Sequence, residues 1–398
     1  MFDFRRRVVL PLLSIVVSSV VGVVLVEIGL RIVDYSRPPF YQYDPETGTS
    51  HRPNAEGWYD REDLTKIHIN SHGLRGPEAP IAKPPGMFRI AVLGDSFAEG
   101  FQVDYDKRFS KIMQDDLNAR QCGGPGKRIE VLNFGVSGYG QAREILMFRH
   151  RAKAYQPDLV LLQFHGGNDF RNNTKEIEHN PFNPYFVFDS SDHLVLDRSG
   201  LDSPAFRYKV RWSNLRNDIV VHVRVLQVLQ DYYERTVIER ETAAAEADAI
   251  DPSVTNVRTI AVAPPDSDIQ RKEWRLTEAH LRLLSDEVRA ATAAPLWVFN
   301  VPPALALLPD PKKRQQQLDA LKLSDADYVE HRLADFFRAE NISFIPMTAP
   351  LRGFAEANHF DLHYFDYRKG LGGHWNARAH VEAGHVIAKA MCQGLQPR

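Results

Sequence analysis

The stretch Phe88-Arg89-Ile90-Ala91-Val92-Leu93-Gly94-Asp95-Ser96-Phe97 decides how the chain is read. Phe88 to Leu93 is a short apolar run of strand length, and a glycine-led polar turn follows it directly. A helical pattern comes next, with Phe109, Ile112, Met113 and Leu117 on one face of Phe109–Arg120. The same alternation then repeats. Ile129–Leu132 and Leu159–Phe164 read as strands, with the helical stretch Gln141–Tyr155 between them. Much later come Leu296–Val301, a helix around Val329, Leu333, Phe336 and Phe337, then Ile342–Ile345, and a last helix over Ala377–Cys392. Strands alternating with helices of this length predict an α/β fold, a doubly wound parallel sheet of about five strands covered on both faces.

In such a sheet ligands bind beyond the carboxyl ends of the strands, where the strand order switches. Three of the predicted strands end in glycine-rich polar clusters: Gly94-Asp95-Ser96-Phe97, Asn133-Phe134-Gly135-Val136-Ser137-Gly138 and Gly166-Gly167-Asn168-Asp169. Glycines let a backbone approach a substrate closely, and Asn168 adds a side-chain amide donor. Donors converging on one point are what an oxyanion hole requires. A base candidate follows the last strand, in Gly373-His374-Trp375-Asn376, whereas His380 and His385 fall inside the last helix and read as packing or surface residues.

These four segments, in this order, resemble the SGNH/GDSL hydrolase superfamily, over roughly residues 87–170 and 295–392. Gly94-Asp95-Ser96-Phe97 is similar to that family's Gly-Asp-Ser-Leu block, with Phe97 in place of leucine. The resemblance implies a flavodoxin-like sheet, Ser96 as nucleophile and His374 as base. It implies an oxyanion hole built from the Ser96 N–H, the Gly138 N–H and the Asn168 amide. The family commonly carries an aspartate two or three residues before the histidine, but Gly372 and Leu371 stand there. Asp366 is the nearest upstream acid and is the expected orienter of His374. Asp361 lies further off, and a main-chain carbonyl near Leu371 is the alternative. The implied chemistry is acyl transfer through a serine ester, with no metal or organic cofactor. His359 and His363, four apart with Asp361 between them, are the competing metal candidates, though the stretch lacks a helical pattern.

Near the amino terminus, Arg5, Arg6 and Arg7 precede an uncharged run from Val8 to Val26. As a helix that run spans ~28 Å, close to the ~30 Å hydrocarbon core of a bilayer. No small-residue cleavage pattern follows, since the first alanine is Ala55, so an uncleaved anchor is expected. The arginines then stay in the cytoplasm and the rest of the chain lies outside it, periplasmic or on the outer face. The organisation expected is a tip and anchor over 1–33, a proline-rich stalk or wrap over 34–86, and a hydrolase domain over 87–398. That domain carries a largely helical insertion at about 172–275, with a long amphipathic stretch near Phe206–Glu239 and a loosely ordered Glu241–Asp251 piece.

Composition narrows the function classes. Lys plus Arg number 49 against 51 Asp plus Glu, so no basic excess points to nucleic acid. The two cysteines, Cys122 and Cys392, exclude a cysteine-built metal site and leave their own pairing open. The reading is an extracytoplasmic serine esterase cleaving an acyl or acetyl ester on a glycan or lipid, held to the membrane by its first helix. Alternatives are an O-acyltransferase or deacetylase acting on envelope polysaccharide, and a non-catalytic anchored glycan-binding module.

Overall fold

The computed structural model describes residues 8–238, 262–367, 370–371 and 373–395. The Arg5–Arg7 cluster, the Glu241–Asp251 piece and Gly372 lie outside the described residues.

The first element is the helix α1 (Leu10–Ile32), uncharged until Glu27 and Arg31 near its end, with no residue buried against the rest of the protein. Two antiparallel hairpins follow, Tyr41–Asp44 with Gly48–His51 and Glu56–Tyr59 with Thr65–His68. The alternating Lys66–Asn70 stretch contributes to the second of these.

The central sheet has five strands, β1 (Met87–Leu93), β2 (Arg128–Asn133), β3 (Leu159–Phe164), β4 (Leu296–Asn300) and β5 (Ser343–Ile345). Their order is β5-β4-β3-β1-β2, and every pairing is parallel. This is the flavodoxin-like order, with the topological switch between β1 and β3. Strand alternation shows why both faces are covered. Ala91 and Leu93 of β1 join one core with Phe148, Trp274, Leu281, Leu333 and Phe337. Ile90 and Val92 point the other way, into a core with Phe109, Met113, Leu351, Trp375 and Ile387. A strand buried on both faces needs an apolar run, which β1 supplies over Ile90–Leu93 and β3 over Leu159–Leu162.

The second core is closed covalently. Cys122, just past the helix Phe109–Ala119, is disulfide-bonded to Cys392 in the last helix, Ala377–Leu395. The bridge spans 270 residues. A loop that long is worth roughly 5 kcal/mol in the chain-entropy account of disulfide stabilisation.

After the short helix Lys175–Glu178 the insertion carries a β-hairpin, Tyr185–Phe188 with Leu194–Asp197, which the sequence pattern did not indicate. The long amphipathic stretch is not one helix. It breaks at Val223, which is extended (φ -119, ψ 107), and gives two helices, α2 (Asn214–His222) and α3 (Arg224–Tyr233). They fold back as a hairpin against the first hairpins and against α1.

Candidate active site

The nucleophile candidate is placed by backbone geometry. Gly94 ends β1 with φ +154, and a Cβ there would lie 2.5 Å from the Gln163 Oε1 and 2.8 Å from the Ala98 Cβ. Only glycine allows the turn. Asp95 then caps the short helix Ser96–Glu99, its Oδ1 accepting the Phe97 N–H at 2.9 Å. The result presents Ser96 at the carboxyl end of β1, 6% exposed.

His374 meets it across the fold. Its Nε2 lies 2.7 Å from the Ser96 Oγ. The ring rests on Phe97, with centroids 5.0 Å apart, so the residue that departs from leucine forms the floor under the imidazole. The other ring nitrogen, Nδ1, lies 2.7 Å from the Glu62 Oε2. The Glu62 Oε1 accepts the backbone N–H groups of Gly373 at 3.0 Å and His374 at 3.3 Å. One carboxylate therefore fixes both the ring and the loop that carries it. A carboxylate at Nδ1 selects the tautomer with the proton there and leaves Nε2 free to accept from serine.

The expectation for Asp366 is corrected by this arrangement. Both His374 nitrogens are occupied, by Glu62 and by Ser96, while Asp366 sits in an exposed turn. Glu62 comes from the loop between Tyr59 and Thr65 in the second amino-terminal hairpin, 312 residues before the histidine. The electrostatics agree with the geometry. Burial opposes protonation of His374, but the hydrogen bond and charge of Glu62, with Asp95 and Glu99 behind, leave its pKa raised above the ordinary value. Burial opposes ionisation of Glu62, yet its contacts with His374 and the Gly373 N–H hold its pKa below the usual carboxylate range.

The three expected oxyanion donors line the same rim. Neither the Ser96 N–H nor the Gly138 N–H has a partner among the described residues. Gly138 adopts φ +74 with open space where a Cβ would stand. Its carbonyl is held by Arg143 and by the Asn172 Nδ2 at 2.9 Å, which pins the loop. Asn168 donates one amide hydrogen to the Asp95 Oδ2 at 2.7 Å, leaving the second available.

A buried support lies beneath this rim. Glu99 accepts the Ser137 N–H at 3.0 Å, and its carboxylate is also held by His51 at 2.7 Å and by the Tyr41 hydroxyl at 2.8 Å. His51 and Tyr41, like Glu62, belong to the amino-terminal hairpins. Beside them opens a cavity of about 520 Å³ between those hairpins and the α2–α3 hairpin. Its walls include Tyr41, Trp58, Tyr59 and Arg216, and Ser137 and Arg61 connect it to Gly138 and Glu62 by one peptide bond each.

The other singled-out histidines do not meet Ser96, although His363 lies beside the site, its ring 6.5 Å from that of Phe97. His359 ends a helix in the left-handed region, and His363 is buried in the turn that follows, its pKa lowered to about 4 by burial. Among the described residues no group of three potential ligands includes them. His380 is fully buried in the last helix and stacks on Phe109.

Residues 90–194 match the family model for GDSL-like lipase/acylhydrolase. Among curated proteins, none matches the sequence. The chain is also similar to the following two solved structures. One is a two-domain esterase active on acetylated mannans, 10% identical, with TM-score 0.36 over 78% of this chain and 51% of that one. The chain thus spans about half of that protein's length. The other is a variant acetyl xylan esterase from Geobacillus stearothermophilus, 11% identical, with TM-score 0.38 over 76% of this chain and 94% of that one. Likeness at this level does not speak to substrate.

Proposed function

We propose that this member of the SGNH/GDSL hydrolase superfamily, a hydrolase acting on ester bonds, is a membrane-anchored extracytoplasmic serine esterase. It removes an acyl or acetyl group through a Ser96 acyl-enzyme. The observation that carries the proposal is the unbroken relay from Glu62 through His374 to Ser96, with both contacts at 2.7 Å. That distance is within the reach a general base needs.

The steps follow from the atoms. The Ser96 hydroxyl passes its proton to the His374 Nε2 as its Oγ attacks the ester carbonyl. Charge develops on the carbonyl oxygen and is received by the Ser96 N–H, the Gly138 N–H and the free Asn168 amide hydrogen. Glu62 stabilises the imidazolium through Nδ1–H. The imidazolium returns its proton to the leaving alcohol as the tetrahedral species collapses to the serine ester. Water then enters, gives its proton to His374, and attacks the ester; collapse releases the acid and restores the serine. These steps use side-chain and backbone groups alone.

The support for location is independent of the site. The 23-residue first helix has no buried residue and is uncharged from Leu10 to Val26, and a disulfide favours an oxidising compartment. Protease added to intact spheroplasts should digest the domain; full protection would overturn the placement.

O-acyl transfer to an envelope polysaccharide is the second reading. The aromatic-walled cavity next to Ser137 favours it, because an acceptor alcohol held there would compete with water for the acyl-enzyme. Product analysis, free acid against transferred acyl group, separates the two. The test of the common core is labelling with a fluorophosphonate followed by peptide mapping. The adduct is expected on Ser96, and its absence there from folded protein would sink the proposal.

A further inference from the structure

The α2–α3 hairpin has a feature that catalysis does not use. Eight of the eleven residues from Ile219 to Leu229 are apolar, and they surround the turn at Val223. Ile219 is 54% exposed and Leu229 59%, while Val221, Val223, Val225, Leu226 and Val228 are half-buried. An apolar hairpin tip left open on a soluble surface calls for a partner.

The anchor helix identifies the level at which that tip sits. The Val225 N–H donates to the Glu27 Oε2 at 3.0 Å, and Arg31 donates to the His222 carbonyl at 2.7 Å. Arg31 also pairs with Glu27 along α1. Glu27 is the first charged residue after the uncharged run Val8–Val26. If that run fills the ~30 Å hydrocarbon core, Glu27 stands at its edge. Arg31 then lies ~6 Å further out, in the headgroup layer. The tip is hydrogen-bonded to both residues, so it lies in the same layer.

We propose that the hairpin tip Ile219–Leu229 is a second membrane contact, seated in the interfacial layer of the bilayer beside α1. The inference rests on the anchor reading given above. Ile219 and Leu229 enter the boundary between headgroups and acyl chains, as the apolar face of an interfacial helix does. Two contacts fix orientation where a single helix leaves the domain free to swing. The Arg37 N–H binds the Gln227 Oε1 at 2.8 Å, which continues the connection between anchor and hairpin beyond the membrane. Gln230 and Glu234 of α3 and its extension line the cavity described above. Gln230 is five residues beyond Val225, so the cavity begins ~8 Å along the helix from the tip. The docked tip therefore holds the cavity at the membrane surface.

The test uses the full chain in lipid vesicles. The native cysteines are paired, so Ile219→Cys and Leu229→Cys each introduce one reactive thiol for an environment-sensitive fluorophore. Both substitutions are at exposed positions and leave the fold undisturbed. Val17→Cys reports on the anchor, and Asp319→Cys, exposed on the helix Pro311–Ala320, gives the aqueous control. Lipids carrying a nitroxide near the headgroup should quench the labels at 219 and 229 at least about twofold more strongly than the label at 319, with a blue-shifted emission. Quenching at 17 by deep nitroxides with no excess quenching at 219 and 229 overturns the tip contact and leaves the anchor standing. No quenching at 17 overturns the anchor, and the tip contact with it.

Discussion

Replacing Glu62 by glutamine tests the reading of the site most directly, because it alters one atom and keeps the shape. In the wild-type site Oε1 accepts the Gly373 and His374 N–H groups and Oε2 faces the His374 Nδ1. A glutamine keeps its oxygen on the two backbone donors, which turns its NH2 toward Nδ1. That nitrogen must then accept, and the ring proton moves to Nε2. The tautomer so favoured cannot take a proton from Ser96. In serine proteases the equivalent Asp→Asn change lowers turnover ~10⁴-fold by the same route. Glu62→Gln is accordingly expected to lose about 10³–10⁴ in kcat on a short-chain ester, or ~4–5.5 kcal/mol of barrier.

A structural role alone would not move the pH profile, so that profile is the second readout. His374 must be neutral to act as base, so activity appears as pH rises through its pKa. In the wild type Glu62 raises that pKa against the burial that lowers it. Removing the charge should shift the acid limb of kcat/KM to lower pH even as the plateau falls. Glu62→Asp keeps the charge at shorter reach and should recover part of the rate. Asp366→Asn is the control and should stay within about threefold of wild type, under ~0.7 kcal/mol. If Glu62→Gln also stays within that range with an unmoved limb, the orienting role is refuted.

Ser96→Ala and His374→Ala should each remove essentially all turnover. The double variant should be no worse than either single one, because nucleophile and base act as a unit. Asn168→Ala should reduce kcat by about 10²–10³ while the fluorophosphonate still reaches Ser96; a loss under tenfold would remove Asn168 from the oxyanion hole. His51→Ala leaves the buried Glu99 carboxylate without its 2.7 Å partner and should destabilise the fold by about 3–5 kcal/mol in denaturant titration; an unchanged midpoint would contradict the pairing.

The sheet was legible because β1 and β3 are buried on both faces and so carry apolar runs, Ile90–Leu93 and Leu159–Leu162. Leu159–Phe164 reads to the residue for that reason. Ser96, Gly138, Asn168 and His374 were singled out because each sits where a strand end or turn requires glycine or a polar group beside it. Glu62 was not. It lies in Asp60-Arg61-Glu62-Asp63, four charged residues in a row within the stretch expected to be a stalk or wrap, and nothing local distinguishes it from its neighbours. Its partner is 312 residues away, and no local spacing encodes a contact of that range. The break at Val223 was hidden too, since neither glycine nor proline marks it. The nearby β-branched residues, Val220, Val221, Val223 and Val225, were the one available hint, through their weak helix propensity.

Under the proposed mechanism, supplying the orienting carboxylate from the amino-terminal hairpins has a consequence that a local aspartate would not. Those hairpins also grip the segment that follows the nucleophile. The Thr65 hydroxyl donates to the Phe101 carbonyl at 2.5 Å, and the buried Arg75 donates to the Gly100 and Val103 carbonyls. Phe101 packs with Phe40, Ala55, Ile67 and Ile69. His51 and Tyr41 hold Glu99, which holds the Ser137 N–H next to the Gly138 donor. The Ser96 helix, the Gly138 loop and His374 are thus each contacted by residues 40–75, which follow α1. Displacing the hairpins would loosen all three elements together. Under the anchored reading, the parts of the chain that face the membrane and the parts that set catalytic geometry are one packed unit. A perturbation at the proposed membrane-facing tip of the α2–α3 hairpin therefore has a hydrogen-bonded and covalent route, through Gln227, Arg37 and Glu62, to His374.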